Sequence, residues 1–320
     1  MTTSPIIPPR LEPGATVALL APASPPPDPR AVDRSLRALE RAGWRVKAGR
    51  HLRRRQGFLA GTDRERAGDL MRAFRDPSVQ AICCLRGGYG TARLLPLLDY
   101  DVIRAHPKIL VGYSDITALH CALRLRANLV TFHGPMLASE LNQEDYPEFS
   151  RHSWERALTT AGPLGGISEG CPASAVAVVR RGRAEGELIG GNLSVLCTLL
   201  GTPWQPDFRG RILFLEDVGE APYRIDRMLT HLQNAGVLGQ VAGVAVGVCQ
   251  NCADARGKTA GEFRQTLEHV LQERLRPLKV PVVIGLPFGH VPLHATLPVG
   301  VRACLDGNRG ELFLTGTAVR

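Results

Sequence analysis

Three side chains in this 320-residue sequence stand where an α/β protein could carry out acyl transfer. Ser114, in "VGYSD", follows the apolar run 109–111 and precedes a helix-like stretch, so it lies where strand turns into helix. A G-x-S turn of this kind exposes the hydroxyl, and the following helix N-terminus favours negative charge beside it. The match is partial, because the second glycine of G-x-S-x-G is missing, and a serine at that place, taken alone, reads first as a helix N-cap and only second as a nucleophile. Glu216 directly follows the strand-like "RILFL", with Asp217 and Glu220 beside it, and spacing alone does not rank these acids. His290, in "GLPFGHVPLH", has glycines on both sides of the preceding Pro-Phe pair, which let the backbone carry a ring close to other loops; His294 is its rival.

The types suit one chemistry. A serine hydroxyl does not ionise near neutral pH, so an imidazole must take its proton and a carboxylate must orient that imidazole. The oxyanion that forms needs backbone N–H donors. The bare backbone of "RGGYG" (residues 86–90) offers them, alongside the amide of Asp115. The alternatives for this stretch are a tight turn or a phosphate loop, yet it fits neither G-x-G-x-x-G nor G-x-x-x-x-G-K-[ST].

Elements must bring these groups together. "ATVALLAPAS" reads as a strand and loop, "PRAVDRSLRALERAGW" as a helix stopping at Gly43, and "TDRERAGDLMRAFRDP" as a helix opening at Thr62 or Asp63. "VQAICCLRGGYG", the Ser114 strand and "LVTFHGPM" continue the alternation, which implies a parallel sheet with crossover helices. The pattern breaks into Gly, Pro and Ser over residues 159–174. Beyond it lie "AVAVVRRG", "AEGELIGGNLSVLCTLLG", "GRILFLEDVG", the helix "YRIDRMLTHLQNAG", "VAGVAVGVC", the helix "FRQTLEHVLQERL", "VPVVIGLPFGHV" and a hairpin around Asp306–Gly307. We therefore expect an N-terminal α/β domain (1–160) carrying the nucleophile, a linker (161–175) and a C-terminal mixed α/β domain (176–320) carrying the other two groups. Carboxyl ends of strands form the rim where such sheets bind ligands.

Composition narrows the classes. An apolar content of 44% with 22% charge suits a globular chain with a real core. No run of about 18 apolar residues argues for a membrane span, and the N-terminus lacks the basic and apolar regions of a signal peptide. The net charge of +9 is mostly arginine and scattered apart from residues 53–55, and aromatics are 5%, so no basic stripe with stacking rings marks a nucleic-acid binder. The eight cysteines follow no secreted framework. Cys83 and Cys84 read as small core residues, and Cys249 and Cys252 have no second pair to complete a zinc site.

Taken together, "FLAGTDRERAGDL", "RGGYG", "GYSDITALH", "HGPM", "GGNLSVL", "LEDVGEAPYRIDRML" and "GLPFGHVP" resemble, in order, the LD-carboxypeptidases of the murein tetrapeptide carboxypeptidase and microcin-immunity family of serine peptidases. The resemblance runs from "VALLAPAS" to the end of the chain. It implies a Ser-Glu-His triad falling on Ser114, Glu216 and His290, with the backbone amides of Gly88 and Asp115 as oxyanion hole. It favours His290 over His294, which lies outside the family's G-H element, and assigns nothing to Cys249 or Cys252. It implies a flavodoxin-like or amidotransferase-like N-terminal domain and a swivelling-type C-terminal domain, with the active site between them. The implied reaction releases terminal D-alanine from murein tetrapeptides at meso-diaminopimelate or L-lysine, in a cytoplasmic homodimer, without metal or other cofactor. Arg86 and Arg224 are candidates for the substrate carboxylate, though either could pair with an acid such as Asp226. The family's other branch, cleaving aminoacyl-nucleotide antibiotics, is the second expectation. A non-catalytic nucleotide or nucleic-acid binding module, with Ser114 as a helix cap, is the reading of another class.

Overall fold

The computed structural model describes residues 4–172, 175–253 and 265–320. Strands buried on both faces read as near-continuous apolar runs. β1 (Thr16–Leu20), β3 (Val79–Cys84) and β4 (Ile109–Gly112) are of this kind, while β2 (Arg45–Ala48) is an edge strand facing solvent and β5 (Thr131–His133) is short and buried. They pair in parallel in the order β2-β1-β3-β4-β5, the flavodoxin-like winding. In that winding the chain reverses direction between β1 and β3, which opens a crevice at the strands' carboxyl ends.

The remaining strands are β6 (Pro163–Gly166), β7 (Ala177–Arg180), β8 (Arg183–Asn192), β9 (Ile212–Val218), β10 (Gly243–Gln250), β11 (Val282–Ile284), β12 (Leu297–Val299), β13 (Arg302–Asp306) and β14 (Glu311–Thr317). Eight of them form a second sheet, β6-β14-β13-β8-β9-β10-β11-β7. Its centre, β8 to β11, is parallel; β13, β14, β6 and β7 pair antiparallel. The expected hairpin at the C-terminus is β13 and β14.

Two features differ from the sequence reading. Inside the stretch expected as linker, Pro163–Gly166 forms β6 and pairs with β14. The first sheet is not wholly parallel either, because β12 returns from the far end of the chain to pair antiparallel with β5. A three-residue strand holding Pro298 carries too little pattern to be recognised, and proline is tolerated there because β12 is an edge. The helix expected from Phe263 runs from Leu267 to Leu275, Phe263 and Arg264 lying outside the described residues.

The helix Asp63–Arg75 shows how the fold serves the crevice. Thr62 caps it, and Glu65 returns to the Thr62 amide, a reciprocal capping box worth about 1 kcal/mol. The next residue, Arg66, is buried and donates to the carbonyls of Pro22 and Gly90 and to Asp63. One guanidinium thereby ties the loops after β1 and β3 to a single capped helix. Cys83 and Cys84 are fully buried as core residues, where burial raises both thiol pKa values.

Candidate active site

β4 ends at Gly112, and two residues later Ser114 has φ +63°. The other described non-glycine residues with positive φ are Asn128 and Asn251, a type that tolerates this conformation. A serine held there costs on the order of 1–3 kcal/mol and persists only where its surroundings impose it. It does not cap a helix: the turn Ser114–Ile116 and the helix Thr117–Ala122 both start without a side-chain cap bond. The Ser114 hydroxyl makes no hydrogen bond to another described residue.

The loop after β3 packs against this turn. A Cβ on Gly87 would lie 2.9 Å from Ser114 Cβ and 3.1 Å from its Oγ, so only glycine lets the loop come this close. Gly88 has φ +108° and lies against Ser24, whose hydroxyl accepts the Tyr89 amide at 3.1 Å. Asp115 is buried, and its carboxylate accepts the Thr91 amide at 2.8 Å, locking the glycine loop to the serine turn. Burial raises the Asp115 pKa against the opposing pull of the Thr91 hydrogen bonds. Among the described residues, the amides of Gly88 and Asp115 donate to no intramolecular acceptor.

The second sheet supplies the acid and the imidazole. Glu216 is completely buried in β9, and its Oε2 meets His290 Nδ1 at 2.7 Å. Gly289, at φ +116°, allows this approach, since a Cβ there would sit 3.1 Å from Glu216 Cβ and 2.8 Å from the Val248 carbonyl. Burial acts to lower the His290 pKa, but the hydrogen bond and charge of Glu216 outweigh it, and the pKa is raised above the ordinary 6.5. An imidazole held by a carboxylate at Nδ1 keeps Nε2 as its basic nitrogen.

The rivals are engaged elsewhere. Asp217 accepts from the side chains of Asn192 and Ser194 and from the Ser194 amide. Glu220 pairs with Arg224 at 3.3 Å. His294 is fully buried against the ring of Tyr113, its ring nitrogens unpartnered among the described residues, and burial pushes its pKa down to about 3.

Ser114, Gly88 and His290 line one cavity of about 510 Å³, together with Arg86, Tyr113 and Glu140. Arg86 donates to the Pro25 carbonyl at 3.1 Å and pairs with no carboxylate among the described residues. Arg224 is exposed and does not line this cavity; Asp226 pairs with Arg274 instead. Sequence reasoning missed Tyr113 and Glu140. The Tyr113 ring lies 4.7 Å from that of His290, and its hydroxyl donates to Glu140 Oε1 at 2.7 Å. Tyr113 was detectable as the serine's neighbour, whereas Glu140 sits in a stretch without periodicity. A larger cavity of about 710 Å³ lies elsewhere, walled by Arg104, Arg124, Arg126 and Arg211, and none of the three chemical groups reaches it. Among the described residues, no three His, Cys, Asp or Glu side chains are grouped to hold a metal, and no helix is long and apolar enough to cross a membrane.

Residues 17–134 match the LD-carboxypeptidase N-terminal domain, and residues 185–305 match the LD-carboxypeptidase C-terminal domain. A probable murein peptide carboxypeptidase of Bacillus subtilis (strain 168) is 41% identical, over 93% of this chain and 91% of its own length. The solved structure of muramoyltetrapeptide carboxypeptidase from Oxalobacter formigenes superposes with a TM-score of 0.80 at 32% identity, covering 93% of this chain and 97% of that one. MccF in complex with glutamyl sulfamoyl guanosine superposes with a TM-score of 0.88 at 26% identity, covering 99% and 100%. With both domain models matched in order and the mixed α/β architecture shared, the chain belongs to the LD-carboxypeptidase family.

Proposed function

We propose that this chain is a serine LD-carboxypeptidase that hydrolyses the amide between an L-configured centre, meso-diaminopimelate or L-lysine, and the terminal D-alanine of murein tetrapeptides. One observation carries the reading: a strained serine and a carboxylate-held imidazole face the same cavity. In the mechanism, His290 Nε2 takes the Ser114 proton as Oγ attacks the scissile carbonyl. The amides of Gly88 and Asp115 receive the oxyanion, each worth about a hundredfold or more in rate. Collapse breaks the C–N bond, and the imidazolium, stabilised by Glu216, hands its proton to the departing D-alanine amine. Water then gives its proton to His290 and attacks the ester. Release of the L-terminated product returns that proton to Ser114.

The serine–imidazole hydrogen bond closes when substrate arrives, as is common where apo contacts are loose. Arg86 takes the terminal carboxylate in this reading, which excludes longer chains. Arg224, outside the cavity, is left to its ion pair with Glu220. The setting it implies is a cytoplasmic homodimer. Cleavage of aminoacyl nucleotides is a second reading, motivated by the MccF likeness; the higher identity to murein carboxypeptidases favours the first. The test is release of D-alanine from a murein tetrapeptide by wild type and Ser114→Ala. Wild type should turn over, and the variant should lose at least a thousandfold at an unchanged melting temperature. Turnover by the variant, or turnover of a processed microcin but not the tetrapeptide, refutes the proposal.

A further inference from the structure

The segment after β5 lines the active-site cavity together with the glycine loop, and it contains one carboxylate without a cation beside it. Residues Leu137–Leu141 form a π turn, in which the amides of Leu141 and Asn142 reach back five residues to Met136 and Leu137. Such turns are rare and concentrate at functional sites. This one holds Glu140 against the cavity, with Oε2 accepting the Met136 amide at 2.8 Å and Oε1 accepting the Tyr113 hydroxyl at 2.7 Å. Both bonds fix the carboxylate, and neither neutralises it. Among the described residues no cation lies within ion-pair distance of Glu140, and burial pushes its pKa up to about 7.

Arg86 lines the same cavity and is likewise without a carboxylate partner among the described residues. The two charges act on each other electrostatically without touching. A cavity with a fixed cation and a fixed anion held apart is complementary to a ligand bearing the opposite pair. Tyr113, the residue before Ser114, spans the gap between the serine turn and Glu140 with one phenol ring. A side chain of four or five atoms, starting beside the carbonyl that Ser114 attacks, covers the same span.

We infer that Glu140 is the specificity-determining residue of this site and binds a side-chain ammonium on the residue whose carbonyl is cut. The inference deepens the carboxypeptidase reading and rests on it: Arg86 takes the carboxylate of the departing residue and Glu140 takes the ammonium of the residue that stays. Lysine and meso-diaminopimelate side chains share this ammonium, so either satisfies the site. A charge-assisted hydrogen bond in a half-buried setting favours the cationic substrate by about tenfold to a hundredfold.

The test compares L-Ala-γ-D-Glu-L-Lys-D-Ala with its norleucine and Nε-acetyl-lysine counterparts, reading kcat/KM from released D-alanine. Wild type should prefer the lysine peptide by at least tenfold. Glu140→Gln should bring that ratio close to one, acting mainly through KM, and Glu140→Asp, which keeps the charge, should restore part of it. An absent preference in wild type overturns the inference whether or not the variants fold. A Glu140→Gln enzyme that slows on all three peptides in equal proportion also overturns it, leaving Glu140 a support for Tyr113. Failure of wild type to release D-alanine from any peptide overturns the carboxypeptidase reading and this inference with it, whereas release with an unchanged ratio overturns this one alone.

Discussion

Acid should loosen this protein from beneath the Ser114 turn. His120, His133 and His294 are fully buried behind Tyr113. The Tyr113 ring lies 4.8 Å from His294 and 5.7 Å from His133, and the His133 and His294 rings are 5.6 Å apart. His120 engages both ring nitrogens, at 2.8 Å each, with Thr131 Oγ1 and the Gly112 carbonyl; those of His133 and His294 have no partner among the described residues. Burial pushes His120 down to about 4, His294 to about 3 and His133 well below its ordinary value. In the unfolded chain all three titrate near 6.5. A depressed histidine contributes stability that is present above the unfolded value and is lost as pH falls toward the folded one.

Glu140 opposes them: at about 7 in the fold against an ordinary 4.5, it holds a proton that the unfolded chain lacks between those values. His290, raised by Glu216, contributes stability below 6.5 that is lost at higher pH, outside the acid window. Three histidines against Glu140, with Asp115 acting in the same direction as Glu140, leave the unfolded chain with about two extra protons near pH 5 and fewer near 6.5, where the free histidines are half titrated. Each proton is worth about 1.4 kcal/mol per pH unit, so lowering the pH from 6.5 to 5.0 should remove about 3 kcal/mol. That is a large share of the roughly 5–15 kcal/mol a native domain holds. Urea unfolding followed by tryptophan fluorescence at pH 7.5, 6.5, 5.5 and 5.0 gives the slope directly. His294→Phe, which removes unpartnered nitrogens and keeps a ring, should reduce the slope by about one proton. Unfolding free energy that stays level or rises as the pH drops from 6.5 to 5.0 would refute the reasoning.

Two further outcomes concern the site. Glu216→Gln should lower tetrapeptide hydrolysis by on the order of ten-thousandfold, because the imidazole loses its anchor. Its melting temperature should stay level or rise, since the buried carboxylate has one oxygen without a partner among the described residues; hydrolysis within tenfold of wild type contradicts this. Gly87→Ala should cut kcat by about a hundredfold, because the new methyl would stand 2.9 Å from Ser114 Cβ and displace the hydroxyl. The overpacking should cost only about 1–3 kcal/mol, read as a modest fall in melting temperature, and an unaltered kcat would show that the glycine loop does not limit the serine's position.

Much of this architecture was legible one neighbourhood at a time. The alternation of apolar runs with amphipathic helices announced the crossover sheet, and the helix opening at Thr62 or Asp63 was readable from its cap-like residues, with the structure choosing Thr62 as the cap. The position of Ser114 past a strand end came from the same local pattern, Glu216 was expected just after its strand but lies inside β9, and the family resemblance singled out Glu216 and His290 from their rivals. Tertiary structure alone decided which contacts those residues make. Glu216 and Asp217 are adjacent, and successive strand side chains face opposite ways, so one meets His290, 74 residues away, while the other meets Asn192 and Ser194. The positive φ of Ser114, the returning strand β12 and the buried histidines around Tyr113 were likewise invisible. Glu140 left no trace, because a π turn has no periodic signature and its charge gains meaning only from the cavity it faces. Local patterns depend on neighbours within a turn or two of chain. A catalytic constellation depends on which strand ends the whole winding brings to one rim.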